Sequence, residues 1–523
     1  MSNVVITGFM GTGKTAVGQE VARQMGCPFV DMDAEIESRA AKSIPRIFAE
    51  DGETVFRQME ADLCRELSAR EGLVIATGGG ALVDPANRKL MTNSIVVCLN
   101  AAPDEILRRV SDDADRPLLN VPDPRARIVQ LLEVRREAYS AIPWQIDTTG
   151  LSVETVANRV MALAGVITLP VRYPGGEYPI HIGDGLLAHV GNALRAAGVP
   201  EGSRVAVVSN TVVAPLYGER VEESLRAAGV RPFACTIADG EQHKTLATVA
   251  ALYEQFLAGN LDRSGTVLAV GGGVTGDIAG FAAASFMRGT RFAQVPTTLL
   301  AMTDASVGGK TGVDLPQGKN LAGAFKQPVL VLIDPAVLAT LPDEEVRSGM
   351  AEVIKHGVIS APDLFTELET PDLQAPISTS QLARSIQVKI QIVEQDPFEE
   401  GRRAVLNLGH TVGHGLERLS GFRLRHGEAV GIGMVAATRI AVELDRADRS
   451  LVDRIETVLA AYKLPVRCPP FDADEIWEAM AHDKKRRGRS LRWVLPCAIG
   501  KVDIVADVPP KMVMSVLRDL GAK

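Results

Sequence analysis

Short, continuous apolar segments alternate with amphipathic segments along the first third of the chain. Apolar runs at residues 3–7, 73–76 and 94–99 are each followed by a polar or glycine-rich turn. Runs of this length between amphipathic helices are typical of parallel strands that are buried on both faces. We therefore predict an α/β unit with a parallel sheet over residues 1–166, closed by a helix at about 152–164.

The same alternation starts again after this unit and then gives way to helical patterns. Residues 204–209 and 266–270 are continuous apolar strands, so a Rossmann-like α/β domain is predicted over residues 167–335. Residues 336–523 show mostly helical patterns, which predict a third, α-helical domain. The junction at about 166–170 has no Gly/Ser-rich linker, which favours closely spaced halves over flexibly tethered ones.

Composition narrows the class of protein. The 523 residues are 46% apolar and 23% charged, and the net charge is −8; without a basic stripe, nucleic-acid binding is not expected. No apolar run reaches about 18 residues and no secretory signal is visible, so neither a membrane span nor export is expected. The six cysteines include no CxxC pair, which is typical of reduced thiols, and we expect a cytoplasmic protein.

The segment from Gly8 to Thr15 matches the GxxxxGK[ST] pattern of a P-loop, placed between a strand and a helix. Its glycines let backbone N–H groups turn toward phosphate oxygens, and the helix N-terminus adds partial positive charge. Lysine and threonine in this motif reach the outer phosphates and Mg²⁺, respectively. The residues expected to bind ATP here are Gly11, Thr12, Gly13, Lys14 and Thr15.

The acceptor of the phosphoryl group must be inferred from other polar residues. Asp31 and Asp33 follow a strand and, as alternate residues of an extended segment, would share a face near the P-loop. One carboxylate could serve Mg²⁺ and the other a substrate hydroxyl. Three separated arginines suit a small anionic acceptor and a lid over ATP; they are Arg57, Arg116 and Arg135.

Together with the glycine run at 77–80, these residues make the first 165 positions resemble the shikimate kinase family. The resemblance implies that Asp31 and Thr15 serve Mg²⁺, and that catalysis depends on Asp33, Lys14 and Arg116. It implies that Arg116 lies in the lid over ATP and that Arg109 stacks on adenine. The implied shikimate-binding residues are Asp33, Arg57, Gly79, Gly80 and Arg135. A related small-metabolite kinase, such as gluconate kinase, is the alternative.

A second glycine-rich turn, Gly271 to Asp277, follows the apolar strand at 266–270. A strand that ends in glycines before a helix can cradle a pyrophosphate, although this turn is not the GxGxxG fingerprint. Glu241, Lys244 and the Thr297-Thr298 pair could also reach a dinucleotide. The turn therefore indicates a nucleotide site in the second domain.

Four of the eight histidines fall between residues 356 and 426 and indicate a metal site. A His/His/Glu set with an open fourth position is typical of a catalytic divalent metal. His410 and His414 are four residues apart on one helix face, so they could form a ligand pair instead. The spacing leaves the choice of ligands open; the candidates are Glu352, His356, His410, His414 and His426.

Cationic side chains surround this cluster in apolar or glycine-rich sequence, where an unpaired charge is costly. Such residues need an anion, and a phosphate suits them best. They are Arg288, Lys310, Lys319, Lys355 and Arg403.

The glycine turn, the histidines and the cations make residues 170–523 resemble the 3-dehydroquinate synthase family. The resemblance implies an NAD-dependent cyclisation of 3-deoxy-D-arabino-heptulosonate 7-phosphate to 3-dehydroquinate, with phosphate release. It implies Zn²⁺ or Co²⁺ held by Glu352, His410 and His426. Substrate-binding residues would be Arg288, Asp304, Lys310, Asn320, Lys355, Arg403, Asn407, His414 and Lys485, of which Lys310, Lys355, Arg403, Asn407 and His414 would be catalytic. NAD would be bound by Asn210, Glu241, Lys244, Gly272, Gly273, Val274, Asp277, Thr297, Thr298, Lys310, Lys319 and Thr340.

Three alternatives stay open at this point. Asn210 stands where an acidic ribose-binding residue is typical, which leaves its role undecided. The second half could be a polyol dehydrogenase or another sugar-phosphate cyclase, but a neutral polyol needs no cluster of cations. A non-catalytic scaffold is the third alternative. We expect small-molecule substrates only, and a homo-oligomer formed through the cyclase part.

Overall fold

The computed structural model describes residues 2–111, 121–371, 377–421, 423–485, 491–506 and 508–523, without the side chains of 481–485. The chain forms two compact units. The first consists of residues 1–166, 183–203 and 220–231, and the second of residues 167–182, 204–219 and 232–523. No helix in the described part of the chain has both the length and the apolar character needed to cross a membrane.

One parallel sheet organises the first unit. Its strands are β1 (Val4–Gly8), β2 (Phe29–Asp31), β3 (Val74–Ala76), β4 (Ile95–Asn100) and β5 (Trp144–Asp147). They pair in the order β2-β3-β1-β4-β5, and all four pairings are parallel. The helices of the first 166 residues are α1 (Lys14–Met25), α2 (Met32–Ala40), α3 (Ile44–Glu50), α4 (Glu53–Ser68), α5 (Pro85–Leu90), α6 (Pro103–Val110), α7 (Pro124–Ser140) and α8 (Val153–Ala164).

Strand β1 is buried along its whole length, and two apolar clusters can be traced among the described residues of this unit. One cluster contains Val5 and Ile75, and the other contains Cys98 and Ile106. Because the carboxyl ends of parallel strands meet at one edge of a sheet, the turns after β1, β2 and β3 lie together. That edge carries the P-loop, Asp31 and the glycines at 78–80.

A seven-stranded sheet organises the second unit. The strands that follow β5 are β6 (Ile167–Tyr173), β7 (Gly176–Ile182), β8 (Arg204–Asn210), β9 (Arg231–Ile237), β10 (Thr266–Gly271), β11 (Arg291–Pro296), β12 (Lys310–Leu315), β13 (Gly318–Phe325), β14 (Leu330–Ile333), β15 (Arg492–Ala498) and β16 (Lys501–Ala506). The sheet order is β6-β7-β14-β11-β10-β8-β9. β6 and β7 form an antiparallel hairpin, whereas β10 pairs in parallel with both β8 and β11. This mostly parallel arrangement confirms the predicted Rossmann-like α/β fold.

Helices dominate the chain after residue 342, as predicted. The remaining helices are α9 (Val190–Ala196), α10 (Glu219–Ala227), α11 (Leu246–Ala258), α12 (Gly273–Ser285), α13 (Asp343–Ser360), α14 (Pro362–Leu368), α15 (Thr379–Gln395), α16 (His410–Leu419), α17 (His426–Glu443), α18 (Arg449–Ala461), α19 (Ala473–Lys485) and α20 (Pro510–Asp519). The antiparallel hairpin β15–β16 within this helical region was not predicted.

Glycines let α17 approach its neighbours closely enough to build a site. A Cβ atom on Gly427 would lie 2.1 Å from the carbonyl oxygen of Ser348 in α13. A Cβ atom on Gly433 would lie 1.9 Å from the carbonyl oxygen of Gly409, just before α16. Any larger residue at 427 or 433 would push α17 away from α13 and α16, the helices that carry Glu352 and His410.

Candidate active sites

The P-loop lies between β1 and α1 in a conformation suited to phosphate binding. Gly11 and Gly13 have φ angles of 74° and 94°, in the left-handed region that favours glycine. The Thr12 hydroxyl donates to the carbonyl oxygen of Phe9 at 2.7 Å, and the Lys14 ammonium donates to the same oxygen at 3.1 Å. No side chain caps α1 at Gly13, so the first N–H groups of α1 can bind an anion.

Thr15 and Asp31, the two predicted Mg²⁺ residues, are in direct contact. Thr15 Oγ1 donates to Asp31 Oδ2 at 2.7 Å. Asp31 ends β2 and also caps α2, because its Oδ1 accepts the backbone N–H of Asp33 at 3.0 Å. The predicted extended segment through Asp33 is wrong, since α2 begins at Met32. A carboxylate that satisfies the free N–H groups of a helix start favours the helix over an extended strand end.

The backbone after β3 contacts two carboxylates and a guanidinium. A Cβ atom on Gly78 would lie 2.4 Å from Asp33 Oδ1 and 2.9 Å from Glu60 Oε1. A Cβ atom on Gly80 would lie 2.4 Å from Arg57 Nη1. Arg57 in turn donates to Glu60 Oε2 at 2.7 Å. The structure therefore brings Asp33 and Arg57 to the same short segment.

Glu60, which the sequence placed among the elements near the acceptor site without a specific role, belongs to this cluster. Its side chain is buried, and Oε1 accepts no hydrogen bond. Burial raises the pKa of Glu60, while the hydrogen bond from Arg57 opposes that shift. The available signal was its position three residues after Arg57, on the same face of α4.

Two further residues converge on the carbonyl oxygen of Gly79. Arg135 Nη1 and the Tyr139 hydroxyl, both on α7, each donate to it at 2.8 Å.

Arg109 is held beside the P-loop, where it donates to the Thr148 hydroxyl at 2.9 Å and to Gly11 O at 3.3 Å. The predicted lid residue Arg116 lies outside the described residues.

The second glycine turn joins β10 to α12, with Gly273 and Val274 as the first two residues of the helix. A Cβ atom on Gly272 would lie 3.1 Å from Thr298 Cγ2, and the Thr297 N–H donates to Gly271 O at 3.0 Å. The threonine pair therefore lies beside the glycine turn.

Lys244 joins several polar side chains near the glycine turn. This lysine is 4% exposed, lies 2.6 Å from Asp277 Oδ2 and donates to Asn320 Oδ1 at 2.6 Å. Burial disfavours its charged form, but Asp277 and Glu241 raise the pKa of Lys244 above its ordinary value. A second ion pair joins Lys319 to Glu241 at 3.3 Å.

Asn210 has an acidic neighbour that sequence reasoning missed. Its Nδ2 donates to Asp239 Oδ1 at 2.6 Å, and its Oδ1 accepts the Val213 N–H at 2.7 Å. Asp239, in the turn after β9, therefore places an acidic side chain in direct contact with position 210. Thr340 follows β14, with its hydroxyl 2.6 Å from that of Tyr217.

Three helices bring the candidate metal ligands together. The donor atoms of Glu352 (α13), His410 (α16) and His426 (α17) all lie within 4.8 Å of one another. Glu352 Oε1 is 3.8 Å from His410 Nε2 and 3.5 Å from His426 Nε2. His414, Glu417 and His426 form a second group of the same compactness, so the ambiguity in the histidine spacing persists in part.

The donor chemistry of the first group fits a divalent cation. Glu352 is fully buried, and its Oε1 accepts no hydrogen bond; a buried carboxylate oxygen of this kind requires a positive charge nearby. Burial raises the pKa of Glu352, but Lys355 and the two imidazoles hold it well below its ordinary value. One carboxylate and two histidines match the ligand set of catalytic zinc sites.

Glu417 contacts Nδ1 of His426, the ring nitrogen that does not face Glu352. Its Oε1 lies 2.9 Å from His426 Nδ1. Burial would raise the pKa of Glu417, but the hydrogen bond with His426 lowers it below the ordinary value. Glu417 was not predicted; its only sequence signal is its position seven residues after His410, on the same side of α16.

Two of the predicted substrate-binding cations are buried, and one of them contacts a candidate metal ligand. Lys355 and Arg403 are each 1% exposed. Lys355 pairs with Glu352 and donates to Leu406 O at 2.7 Å, and Arg403 donates to Pro397 O at 2.9 Å. A Cβ atom on Gly308 would lie 2.5 Å from Arg403 Nη2, so this glycine leaves room for the guanidinium.

Lys389 is a buried cation that sequence reasoning missed. It lies in α15 and donates to Asp304 Oδ1 at 2.6 Å. Asp304 itself lies in a single π-helical turn, Ala301–Ala305, a local irregularity that is frequent at functional sites. Burial lowers the pKa of Lys389 to about 8. The missed signal was a lysine between Val388 and Ile390, on the apolar face of a helix.

The other predicted substrate residues are more dispersed. Lys310 is half exposed and pairs with Glu399 at 2.7 Å, and Asn407 is exposed at the end of the 3-10 turn Arg402–Asn407. Arg288, with a φ of 65°, lies between α12 and β11, at the sheet edge opposite the glycine turn. Lys485 ends α19, and its side chain lies outside the described residues.

The fold and these clusters define a bifunctional enzyme. A P-loop kinase occupies the first part of the chain. An α/β enzyme with a glycine turn after β10, a Glu/His/His cluster and several buried cations follows it.

Comparison with known proteins identifies both parts. Residues 10–164 match the family model for shikimate kinase. Residues 234–348 and 349–486 match the models for the N-terminal and C-terminal parts of 3-dehydroquinate synthase. The chain belongs to the 3-dehydroquinate synthase family and carries a shikimate kinase domain in front of it, as a bifunctional enzyme of the shikimate pathway.

Several individual proteins are similar to parts of this chain. The 3-dehydroquinate synthase of Synechocystis sp. (strain ATCC 27184 / PCC 6803 / Kazusa) is 48% identical over 359 residues, which are 67% of this chain and 99% of that protein. A shikimate kinase from Acinetobacter baumannii, solved with shikimate, is 36% identical and covers 31% of this chain and 92% of its own, with a TM-score of 0.30. The 2-epi-5-epi-valiolone synthase ValA from Streptomyces hygroscopicus subsp. jinggangensis 5008, solved with NAD⁺ and Zn²⁺, is 31% identical and covers 66% and 96%, with a TM-score of 0.60.

Proposed function

We propose that the kinase part transfers the γ-phosphoryl group of ATP to a hydroxyl of shikimate. The observation that carries this proposal is the approach of Asp33 and Arg57 to the glycines at 78–80, on the sheet edge that carries the P-loop. A carboxylate beside a guanidinium suits an acceptor that presents both a hydroxyl and a carboxylate. The match of residues 10–164 to the shikimate kinase family model supports this substrate.

Each kinase residue then has a chemical task. Asp33 accepts the proton of the attacking hydroxyl, while Arg57 and Arg135 bind the carboxylate of the acceptor. Lys14 stabilises charge on the outer phosphates, and the Thr15–Asp31 pair would hold Mg²⁺, which neutralises negative charge on ATP when bound. ADP formation from ATP by the purified whole chain should depend on shikimate. Equal turnover with gluconate would favour the alternative kinase family.

We propose that the second part binds NAD along the glycine turn at 271–277 and a divalent metal at Glu352, His410 and His426. The observation that carries the metal assignment is the buried Oε1 of Glu352, which accepts no hydrogen bond and faces the Nε2 atoms of both histidines. The ValA relative, solved with NAD⁺ and Zn²⁺, supports both cofactors. When bound, NAD supplies a reversible hydride acceptor and the metal supplies a Lewis acid.

The residues of this chain then bind and orient a phosphorylated sugar acid. Lys355 and Arg403 carry charges that burial makes strongly attractive to phosphate and carboxylate groups. His414 lies near both metal-ligand histidines, with its ring centroid 5.2 Å from that of His410, so it can move a proton at the substrate. We propose 3-deoxy-D-arabino-heptulosonate 7-phosphate as the substrate and 3-dehydroquinate as the product.

Product analysis tests the cyclase assignment. The whole chain, supplied with NAD, Zn²⁺ or Co²⁺ and this heptulosonate phosphate, should release one phosphate for each 3-dehydroquinate formed. Because NAD is regenerated in each cycle, no net NADH should accumulate. Formation of a different cyclitol, or stoichiometric NADH, would show that another sugar-phosphate cyclase or a dehydrogenase is the correct assignment.

A further inference from the structure

Glu417 is a buried carboxylate whose side chain contacts a proposed metal ligand from the side away from the metal. It is 6% exposed and lies on α16, the helix that begins with His410. Its Oε1 is 2.9 Å from His426 Nδ1, which joins α16 to the first residue of α17. A charged group at this depth requires a partner of this kind.

The two nitrogen atoms of the His426 ring face different carboxylates. Nδ1 faces Glu417, whereas Nε2 lies 3.5 Å from Glu352 Oε1. A neutral imidazole carries one N–H, and an ionised carboxylate can only accept a hydrogen bond. Glu417 therefore favours the tautomer with the proton on Nδ1, and this tautomer leaves the lone pair on Nε2 free for a metal.

Glu417 could instead be a ligand itself, because His414, Glu417 and His426 also have donor atoms within 4.8 Å of one another. A metal ion between Glu417 and His426 Nδ1 would have to replace the 2.9 Å hydrogen bond that joins these two groups. It would also leave the buried Oε1 of Glu352 without a cation. The ring orientation thus favours the outer position for Glu417.

We infer that Glu417 is a positioning residue for the metal site. Its carboxylate accepts the Nδ1–H of His426 and so fixes His426 Nε2 toward Glu352 and His410. The inference rests on the metal site proposed above. Outer carboxylates of this kind typically change metal affinity by about 10–100-fold.

Zinc affinity of the whole enzyme, measured by competition with a chromophoric chelator, tests the inference. Glu417→Gln keeps the shape and one acceptor oxygen but removes the charge, so a loss of about tenfold is expected. Glu417→Ala removes the acceptor as well, and a loss of up to about 100-fold is expected. Glu428→Gln is the matched control, because Glu428 lies two residues from His426 and accepts the backbone N–H of Arg425 at 2.9 Å, a hydrogen bond that glutamine can retain; the zinc affinity of this variant should equal that of the wild type.

The melting temperature of the metal-free protein separates positioning from a general structural role. We expect this melting temperature to stay near the wild-type value in Glu417→Gln. If Glu417→Ala does not fold, the result for Glu417→Gln decides the test. Wild-type zinc affinity in Glu417→Gln and Glu417→Ala, or a metal-free melting temperature that falls together with affinity, would overturn the inference.

Glu352→Gln tests the metal site itself: it should lose far more affinity than either Glu417 variant. If Glu417→Gln loses as much as Glu352→Gln, Glu417 is a ligand; if Glu352→Gln binds zinc normally, the metal site is wrong.

Discussion

Replacing Gly78 with alanine should disable phosphoryl transfer while leaving the rest of the enzyme intact. A Cβ atom at this position would lie 2.4 Å from Asp33 Oδ1 and 2.9 Å from Glu60 Oε1. Gly78 does not have a left-handed φ angle, so alanine brings no backbone strain and acts only through these contacts. To reach an ordinary contact distance, the Asp33 carboxylate must move by about 1 Å.

A misplacement of about 1 Å can lower a rate by about 100-fold, or about 3 kcal/mol in the activation free energy. We therefore expect the kcat for ADP formation with shikimate to fall by about that factor in Gly78→Ala. The affinity for a non-hydrolysable ATP analogue, measured by calorimetry, should be unchanged, since the P-loop is not displaced. The cyclase activity of the same chain serves as an internal measure of folding.

Gly165→Ala is the matched control for this experiment. Gly165 also has an ordinary φ of −83°, and its added Cβ would meet only the carbonyl oxygen of Ala162, at 3.9 Å. This variant should retain wild-type turnover. Turnover within threefold of wild type in a folded Gly78→Ala enzyme would refute the reasoning, because the reaction would then tolerate displacement of Asp33. Equal losses of turnover and ATP affinity would show that the disturbance reaches the P-loop.

Three further tests, which use four variants, address other parts of the structure. Asp33→Asn should nearly abolish kinase turnover with little change in ATP affinity, because the amide cannot accept the proton; substantial residual activity would contradict the acceptor assignment. His426→Ala should purify with little metal and be rescued poorly by added Zn²⁺ or Co²⁺, whereas His414→Ala should keep its metal and lose rate; elemental analysis beside turnover would reveal the reverse pattern. Burial lowers the pKa of His181 from 6.5 to about 4, so the unfolded chain binds a proton at this residue between these pH values and the folded chain does not. Stability should therefore fall as pH drops from 6.5 to 4, by about 3 kcal/mol from this residue; His181→Gln should show a shallower decline in denaturant titrations, and an unchanged slope would contradict the assignment.

Features built from contiguous residues were predictable from the sequence. The P-loop needs only a strand, eight residues and a helix start, so its pattern specifies both its conformation and its ligand class. The apolar strands, the alternation with helices and the glycine turn at 271–277 are local in the same sense. These signals were sufficient to predict the fold class and both families, which the structure and the comparisons confirm.

The approach of distant side chains was decided only by the tertiary structure. Nothing in the local sequence shows that Glu417 contacts His426, that Lys389 pairs with Asp304, or that Asp239 meets Asn210. Even the candidate metal ligands could not be chosen from spacing, because His410 and His414 share a helix face whereas Glu352 comes from a distant helix.

The physical reason is the difference between periodicity and packing. Periodicity along a helix determines which face is buried, but not which neighbour that face meets or at what distance. In this protein the distance depends on Gly427 and Gly433, whose missing side chains let α17 lie against α13 and the start of α16. The sequence therefore determined the elements and their chemistry, and close packing of three helices decided which of the candidate ligands come together.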